Sequence, residues 1–204
     1  MKTVNIICII DKSGSMRSIV DKAIDGFNSF LKEQQNDDYN AIMSLLLFDT
    51  QFNKVFSNLK IQKVKPLTNK TYIPAGGTSL LDSIGMSIDE FVDMLADTPK
   101  EERPDKTLFV ILTDGEENSS TQYHSDLIKM MVNDMRENFN AEFIYLGANQ
   151  DACLQAEMMG ISRTNAYNYA ATDDGIQVAY ANAAKATKVY ATTDATDNLF
   201  QEKK

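Results

Sequence analysis

The stretch "IICIIDKSGSM", Ile6 to Met16, passes from an apolar run directly into a polar loop. A short apolar run rich in β-branched residues is typical of a strand that is buried on both faces of a sheet. Apolar residues then recur at helical spacing from Ile19 to Leu31, which predicts a helix after the loop. The loop therefore starts where a buried strand ends, and its first polar residue is Asp11.

The rest of the chain repeats this strand-then-helix design. "KTLFVILTDGEEN", from Lys106, is a second apolar run that ends at an aspartate, Asp114. "AIMSLLLFDT" and "FNKVFSNLKIQKV" are separated by too few residues for a crossover, so they predict an antiparallel hairpin at a sheet edge. "AEFIYLGAN" and, more weakly, "TNAYNYA" predict two further strands. We therefore expect an α/β fold: a Rossmann-like, doubly wound, mostly parallel sheet with one antiparallel edge strand and helices on both faces.

Two of the predicted helices carry an explicit packing expectation. In "HSDLIKMMVNDMRENF", the spacing of four between apolar residues predicts a buried face of Leu127, Met131 and Met135. In the last helix, from about Asp174 to Tyr190, a stripe is expected to pack in the core rather than to receive a partner. Its members are Tyr180, Ala183, Ala184 and Thr187.

Length and composition indicate one folded unit. The chain has 204 residues, of which 43% are hydrophobic, and it shows no internal repeat or low-complexity linker. We expect a single domain over residues 1–192 and a loosely ordered tail over residues 193–204. A domain of this size does not need a disulfide or a metal in order to fold, so any metal must be argued from function.

The net charge and the cysteines limit the kinds of partner and location that we expect for this chain. The formal net charge of −9 repels nucleic acid and anionic membrane surfaces. No apolar segment approaches the roughly 18 residues of a membrane span, and no cleavage site follows the opening run. The only cysteines, Cys8 and Cys153, lack metal-ligand spacing and are expected to be reduced packing residues. A cytoplasmic location is expected, with export by another route left open.

Side chains with hydroxyl or carboxylate oxygens lie in three predicted loops. The first follows the opening strand, the second precedes the helix that begins near Leu81, and the third follows the strand in "KTLFVILT". Since ligands of open α/β sheets bind outside the carboxyl ends of the strands, these side chains are candidates for one site. Each segment alone also has a structural explanation, such as a helix cap by Ser15 or Ser18, a capping box of Ser79 and Asp82, or an Asp-Gly turn. Their order along the chain nevertheless places all of them at one edge: Asp11, Ser13, Ser15, Thr78 and Asp114. Hydroxyl and carboxylate oxygens suit Mg²⁺, Mn²⁺ or Ca²⁺.

With these residues the chain resembles the von Willebrand factor type A domain, from about Val4 to Tyr190. "DKSGSM" is similar to that family's metal-ion-dependent adhesion motif, while "GGTSL" and "LTDGEE" supply its other two elements. The resemblance implies that the two serines and the threonine can touch a metal, Mg²⁺ above all, while the aspartates act largely through bound water. It further implies an exchangeable coordination position that accepts an Asp or Glu carboxylate from a partner protein.

Residues next to these segments are expected to form a partner-binding rim. A solvated acidic loop is the alternative for the glutamates, and a helix cap is the alternative for the asparagine that follows the "EFIYLGA" strand. His124, the only histidine, is expected in a surface or capping role. The expected rim consists of Gly77, Glu116, Glu117, Asn118 and Asn149.

The leading hypothesis is a non-enzymatic, metal-dependent protein-binding module that acts as a monomeric adaptor. A metal-dependent hydrolase of phosphate esters is an alternative, although an aspartyl nucleophile would favour a second carboxylate two residues on, where this chain has Ser13. A structural subunit of a larger assembly is the other alternative. No G-x-S-x-G or G-x-G-x-x-G pattern supports a serine hydrolase or a dinucleotide site.

Overall fold

The computed structural model describes residues 2–148 and 151–200. Six strands form one sheet in the order β3-β2-β1-β4-β5-β6. The strands are β1 (Thr3–Asp11), β2 (Asn40–Phe48), β3 (Phe52–Lys60), β4 (Lys106–Thr113), β5 (Ala141–Ala148) and β6 (Ala166–Tyr169). The helices are α1 (Val20–Asn36), α2 (Leu80–Asp97), α3 (Ser125–Asn138), α4 (Ala152–Met158) and α5 (Asp173–Thr192).

The sheet is parallel except at one edge. β1 lies in its centre and pairs in parallel with β2 and β4, and β5 and β6 continue the parallel order. Only β3 runs antiparallel, joined to β2 by a short turn. The predicted fold class is therefore confirmed, including its antiparallel edge strand. In such a sheet the carboxyl ends of the parallel strands meet at one edge.

Apolar side chains cover both faces of the sheet. On β1, Ile6, Cys8 and Ile10 pack on the face covered by α1 and α5, while Ile7 and Ile9 pack on the face covered by α2, α3 and α4. Fully burying one such side chain stabilises the fold by about 1.5–3 kcal/mol. Double-sided burial explains why β1 is one continuous apolar run in the sequence, which stops at Asp11.

The helix packing differs from expectation in α3. Leu127, predicted to be buried, is 42% exposed, whereas Ile128 and Val132 are fully buried together with Met135. A spacing of four advances about 40° around the helix at each step, so that series drifts off the core-facing side. The stripe predicted in α5 is confirmed, because its four members are buried beneath the sheet.

The chain beyond α5 packs against the domain as far as residue 200. Leu199 is buried, its backbone N–H donates to Asn165 Oδ1 (3.2 Å), and Phe200 lies against Tyr167. Asp194, Thr196, Asp197 and Asn198 are exposed, and residues 201–204 lie outside the described residues. The single domain over residues 1–192 and the loosely ordered tail over residues 193–204 stay predictions.

Two further sequence expectations concern cysteines and membranes. Cys8 is buried and Cys153 is half-buried, and both thiols are free. Among the described residues, no helix combines the length and apolar character needed to cross a bilayer.

Candidate metal centre

Asp11, the last residue of β1, is held from two sides. Its side chain is fully buried. One carboxylate oxygen accepts the backbone N–H of Ser13 at 2.6 Å, and the other accepts the hydroxyl of Thr113 at 2.5 Å. Thr113 ends the neighbouring parallel strand β4, so the pairing of the two strands brings it beside Asp11. These bonds fix the direction in which the carboxylate points.

The loop after β1 places its two serines side by side. Ser13 Oγ and Ser15 Oγ are 3.0 Å apart, and Ser15 Oγ donates to Asp114 Oδ1 at 2.7 Å. Asp114 follows directly after β4 and is buried. Loops from the ends of β1 and β4 therefore meet through their oxygen side chains.

Thr78 reaches the same place from the loop before α2. It is buried, its backbone N–H donates to Asn118 Oδ1 at 2.9 Å, and its carbonyl accepts the N–H of Asn118 at 3.1 Å. A methyl group placed on Gly115 would lie 3.4 Å from Thr78 Oγ1 and 3.8 Å from Ser15 Oγ. The two hydroxyls thus approach one point of the backbone from different loops.

Burial dominates the electrostatics of the two carboxyl groups. It raises the pKa of Asp11 from 3.8 to about 6, and the nearby Asp114 charge acts in the same direction. Burial also raises the pKa of Asp114, although the hydrogen bond from Ser15 opposes this. Within residues 2–148 and 151–200, no lysine or arginine forms an ion pair with Asp11. Two buried carboxyl groups in this setting would be stabilised as anions by a cation.

The donor set contains few of the strongest metal ligands. Across the described part of the chain, no three His, Cys, Asp or Glu side chains group closely enough to hold a metal. A metal at this edge would therefore depend on the hydroxyls of Ser13, Ser15 and Thr78 in addition to two carboxylates. Such an all-oxygen set suits Mg²⁺, Mn²⁺ or Ca²⁺ rather than a soft transition metal.

Backbone hydrogen bonds tie the first loop to the loop before α2. Gly14 N–H donates to the carbonyl of Gly76 at 3.0 Å, and Ala75 N–H donates to the carbonyl of Lys12 at 2.9 Å. Gly76 has a φ of +64°, a conformation that glycine adopts readily. The Lys12 ammonium also forms an ion pair with the buried carboxylate of Asp49. These contacts fix the position of the first loop relative to the loop before α2.

Two tyrosines support the strand ends from beneath. The hydroxyl of Tyr72 donates to the carbonyl of Asp11, and the hydroxyl of Tyr169 donates to the carbonyl of Thr113 at 3.0 Å. Sequence reasoning missed both tyrosines and also missed Thr113. The available signal for Thr113 was its place in "LTDG", as a polar residue that closes an apolar strand. Nothing in the local pattern marks the tyrosines.

The residues of the expected rim differ in their exposure and hydrogen bonds. Glu116 is exposed, but the carboxylate of Glu117 accepts the backbone N–H groups of Leu81 (2.9 Å) and Ser120 (2.7 Å). Asn118 anchors Thr78 as described above, and a side chain on Gly77 would lie 2.3 Å from Ser119 Oγ. Glu117, Asn118 and Gly77 therefore have structural tasks, and a partner-binding role for the rim stays a prediction. Asn149 lies outside the described residues.

The capping box considered for Ser79 and Asp82 is not formed. Ser79 makes no side-chain cap to α2. Asp82 instead accepts three backbone N–H groups, those of Thr121 (2.9 Å), Gln122 (2.9 Å) and Tyr123 (2.8 Å). These bonds fix the loop after Asp114 onto α2.

Asp151 and His124 lie outside the candidate metal centre, each at the residue before a helix. Asp151 caps α4 by accepting the N–H of Leu154 at 3.1 Å. His124 is exposed at the residue before α3, where its backbone carbonyl accepts the N–H of Ile128 at 3.0 Å. The surface position expected for His124 is thus confirmed.

Comparison with known proteins identifies one family and several structures with a similar fold. Residues 5–184 match the family described as von Willebrand factor type A domain. No curated protein sequence matches the chain. The vWF domain of the type V pili tip protein Mfa5 from Porphyromonas gingivalis has a TM-score of 0.64 at 12% identity, covering 94% of this chain and 97% of that one.

Two larger proteins contain a similar unit. The pilus adhesin SpaC from Lactobacillus rhamnosus GG has a TM-score of 0.64 at 15% identity, covering 91% of this chain and 30% of that one. Proximal thread matrix protein 1 from the mussel byssus, in a structure with a zinc-occupied MIDAS motif, has a TM-score of 0.57 at 15% identity, covering 88% and 46%. The chain thus spans less than half the length of these two proteins. At such identities the likeness shows the fold alone.

Proposed function

The chain belongs to the von Willebrand factor type A domain family, and we propose that it is a non-enzymatic, metal-dependent protein-binding module. A divalent cation, Mg²⁺ in the first place, would be held at one edge of the sheet. Its partner would present an Asp or Glu carboxylate. The residues that would hold the cation, directly or through water, are Asp11, Ser13, Ser15, Thr78 and Asp114.

One observation carries this proposal. Hydroxyls and carboxylates from three separated loops converge, as the 2.7 Å contact between Ser15 Oγ and Asp114 Oδ1 demonstrates for the first and last of them. Side chains that serve only to cap helices would bond to nearby backbone N–H groups, but the serine hydroxyls bond to one another and to a carboxylate. Asp11 and Asp114 are buried with raised pKa values, which favours a cation as their counter-charge.

The chemistry of recognition follows from the charge of the donors. Three of the five donor groups are neutral hydroxyls, and the two carboxylates are expected to act largely through bound water. The cation would therefore keep more positive character than one bound directly by several carboxylates. When bound, the cation would supply an electropositive position that attracts an outside carboxylate. Ser15, the exposed member of the set, lies where a partner would approach.

The relatives support interaction rather than catalysis. Mfa5 is a pilus tip protein, SpaC is a pilus adhesin, and the mussel protein contains a zinc-occupied MIDAS motif. These descriptions apply to those proteins. For this chain they make a metal-dependent contact with another protein the function that we favour over hydrolysis.

Metal binding is tested with manganese as the probe. Mn²⁺ is expected to broaden the amide NMR resonances of the loops around Ser13, Thr78 and Asp114, and Mg²⁺ should reverse the broadening by competition. Ser13→Ala should abolish the effect, whereas Ser18→Ala, on an exposed serine of the same segment, should preserve it. Equal broadening in the wild type and in Ser13→Ala would contradict the proposed metal centre.

Partner binding is tested separately from metal binding. Proteins retained by the immobilised wild-type chain in Mg²⁺ should be lost in a chelator and should be absent from Ser13→Ala. Calorimetry of one retained protein should then show that replacing a single Asp or Glu of that protein removes the Mg²⁺-dependent binding. A partner that binds equally well in the chelator would contradict the role of the metal in recognition.

A further inference from the structure

The segment between Thr50 and Leu81 has an unusual charge. It holds five of the 20 basic residues of the chain and none of the 29 acidic residues. All five are lysines with exposed side chains, and we call them the basic band: Lys54, Lys60, Lys63, Lys65 and Lys70. A chain whose formal net charge is −9 therefore contains a 30-residue segment that carries only positive charge.

Two lysines of the basic band, Lys63 and Lys65, line an apolar groove. The groove lies between the edge strand β3 and the loop that follows it, and its volume is about 350 Å³, within the range of ligand pockets. Val55 and Leu59 on β3 are each 36% exposed, while Leu45 and Leu67 form buried parts of the wall. We call this feature the β3 groove; its lining is Leu45, Val55, Phe56, Leu59, Lys63, Lys65, Pro66, Leu67 and Thr71.

Internal ion pairs account for only part of the basic band. Lys54 pairs with Glu90 at 2.8 Å. Among the described residues, the other four lysines have no carboxylate within ion-pair distance. Their charges are thus available to an outside partner.

Protection of the sheet edge also explains only some of the lysines in the basic band. Lysines on an edge strand prevent two sheets from pairing edge to edge, which accounts for Lys54 and Lys60 on β3 itself. Lys63 and Lys65 lie beyond the end of β3 and line the groove. Their positions call for a different explanation.

We propose that the β3 groove binds an acidic segment of a partner protein. Apolar side chains of that segment would enter the groove against Val55 and Leu59, and flanking carboxylates would pair with Lys63 and Lys65. A short acidic peptide needs only this local positive surface, whereas a nucleic acid or an anionic membrane would also meet the acidic remainder of the chain. The apolar lining adds a requirement for apolar side chains that a bare polyanion does not satisfy.

This docking surface is separate from the proposed metal centre. The metal centre lies at the carboxyl ends of the parallel strands, whereas the β3 groove lies along the antiparallel edge. Docking should therefore be independent of Mg²⁺ and of Ser13, so the two proposals can fail separately.

The test uses a fluorescein-labelled peptide in which glutamate alternates with valine, with fluorescence anisotropy as the readout. The wild-type chain should bind it, and the double variant Lys63→Glu/Lys65→Glu should bind about tenfold more weakly, as expected for two exposed ion pairs turned into repulsion. Lys100→Glu/Lys129→Glu makes the same charge change on exposed lysines elsewhere and should bind like the wild type. Leu59→Ser should weaken binding through the apolar contact alone.

Several results would overturn the proposal. Equal weakening by both double variants would mean that only net charge matters. Equal binding of a peptide with serine in place of valine would remove the role of the groove. Tighter binding of an oligodeoxythymidylate or of phosphatidylserine vesicles, lost in Lys63→Glu/Lys65→Glu, would assign the surface to another class of partner. A dimer in sedimentation that the same variant dissociates would assign it to a second copy of the chain.

Discussion

Thr113 Oγ1 donates a hydrogen bond to Asp11 Oδ2 at 2.5 Å, although 102 residues separate the two in sequence. Both side chains are fully buried. The bond orients the carboxylate that ends β1, and its donor comes from the end of β4. The proposed metal centre thus depends on a residue that is not one of its five expected donors.

Thr113→Val is expected to weaken Mg²⁺ binding by about tenfold, because loss of a group that orients a metal ligand commonly costs 10- to 100-fold in affinity. Valine keeps the shape of the side chain and removes only the hydroxyl. Thr107→Val is the matched control, since Thr107 is a buried threonine at the other end of the same strand. Calorimetric titration with Mg²⁺ measures both, and equal affinities would contradict the orienting role.

The metal-free protein should lose stability as the pH rises through 6. Because burial raises the pKa of Asp11 from 3.8 to about 6, the native state holds this proton more tightly than the unfolded state. The contribution is fully present below about pH 4 and is lost by pH 7, on the order of 2–3 kcal/mol in free energy of unfolding. Burial raises the pKa of Asp114 as well, so its effect has the same sign.

This pH effect is measured by urea denaturation in a chelator, as the difference between the wild type and Asp11→Asn. The variant does not titrate at this position, so the free energy of unfolding of the wild type should fall steadily relative to that of the variant as the pH rises from 4 to 7. A constant difference would show that Asp11 is an ordinary carboxylate. Added Mg²⁺ should reduce the loss at pH 7, since a cation stabilises the charged form.

Asp82→Ala should destabilise the fold by about 2–3 kcal/mol, because three backbone N–H groups of the loop at residues 121–123 would lose a charged acceptor. Asp93→Ala is the control: Asp93 is an exposed aspartate on the same helix, and its loss should change stability by less than about 0.5 kcal/mol. Chemical denaturation compares the two. Similar small effects would mean that the loop does not need this anchor.

Gly26→Ala should destabilise the protein by about 1–3 kcal/mol, although alanine is the better helix former. A methyl group at residue 26 would lie 2.4 Å from a ring carbon of Tyr180, which is buried where α1 packs on α5. Asp25→Ala, at the exposed neighbouring position, should change stability little. An increase in the melting temperature of Gly26→Ala would show that the two helices can separate to accept the methyl group.

The sequence alone was sufficient for the order of strands and helices and for the oxygen side chains at the sheet edge. Double-sided burial produces apolar runs, and Asp11 and Asp114 mark where two of those runs stop. The hairpin of β2 and β3 was likewise predictable, because two residue runs with so short a link can only turn back. These features depend on the neighbours of each residue along the chain.

Which distant side chains meet depends on how the strands and helices pack. Thr113 lies beside Asp11 because β1 and β4 pair with Ile10 opposite Leu112, and a shift of that register by one residue would turn the hydroxyl to the other face of the sheet. The buried side of α3 and the docking of Leu199 depend in the same way on what packs against them. The spacing of apolar residues in a short stretch predicts which face of a helix or strand is buried. Contacts between side chains that are 100 residues apart in the sequence depend instead on how the strands and helices pack.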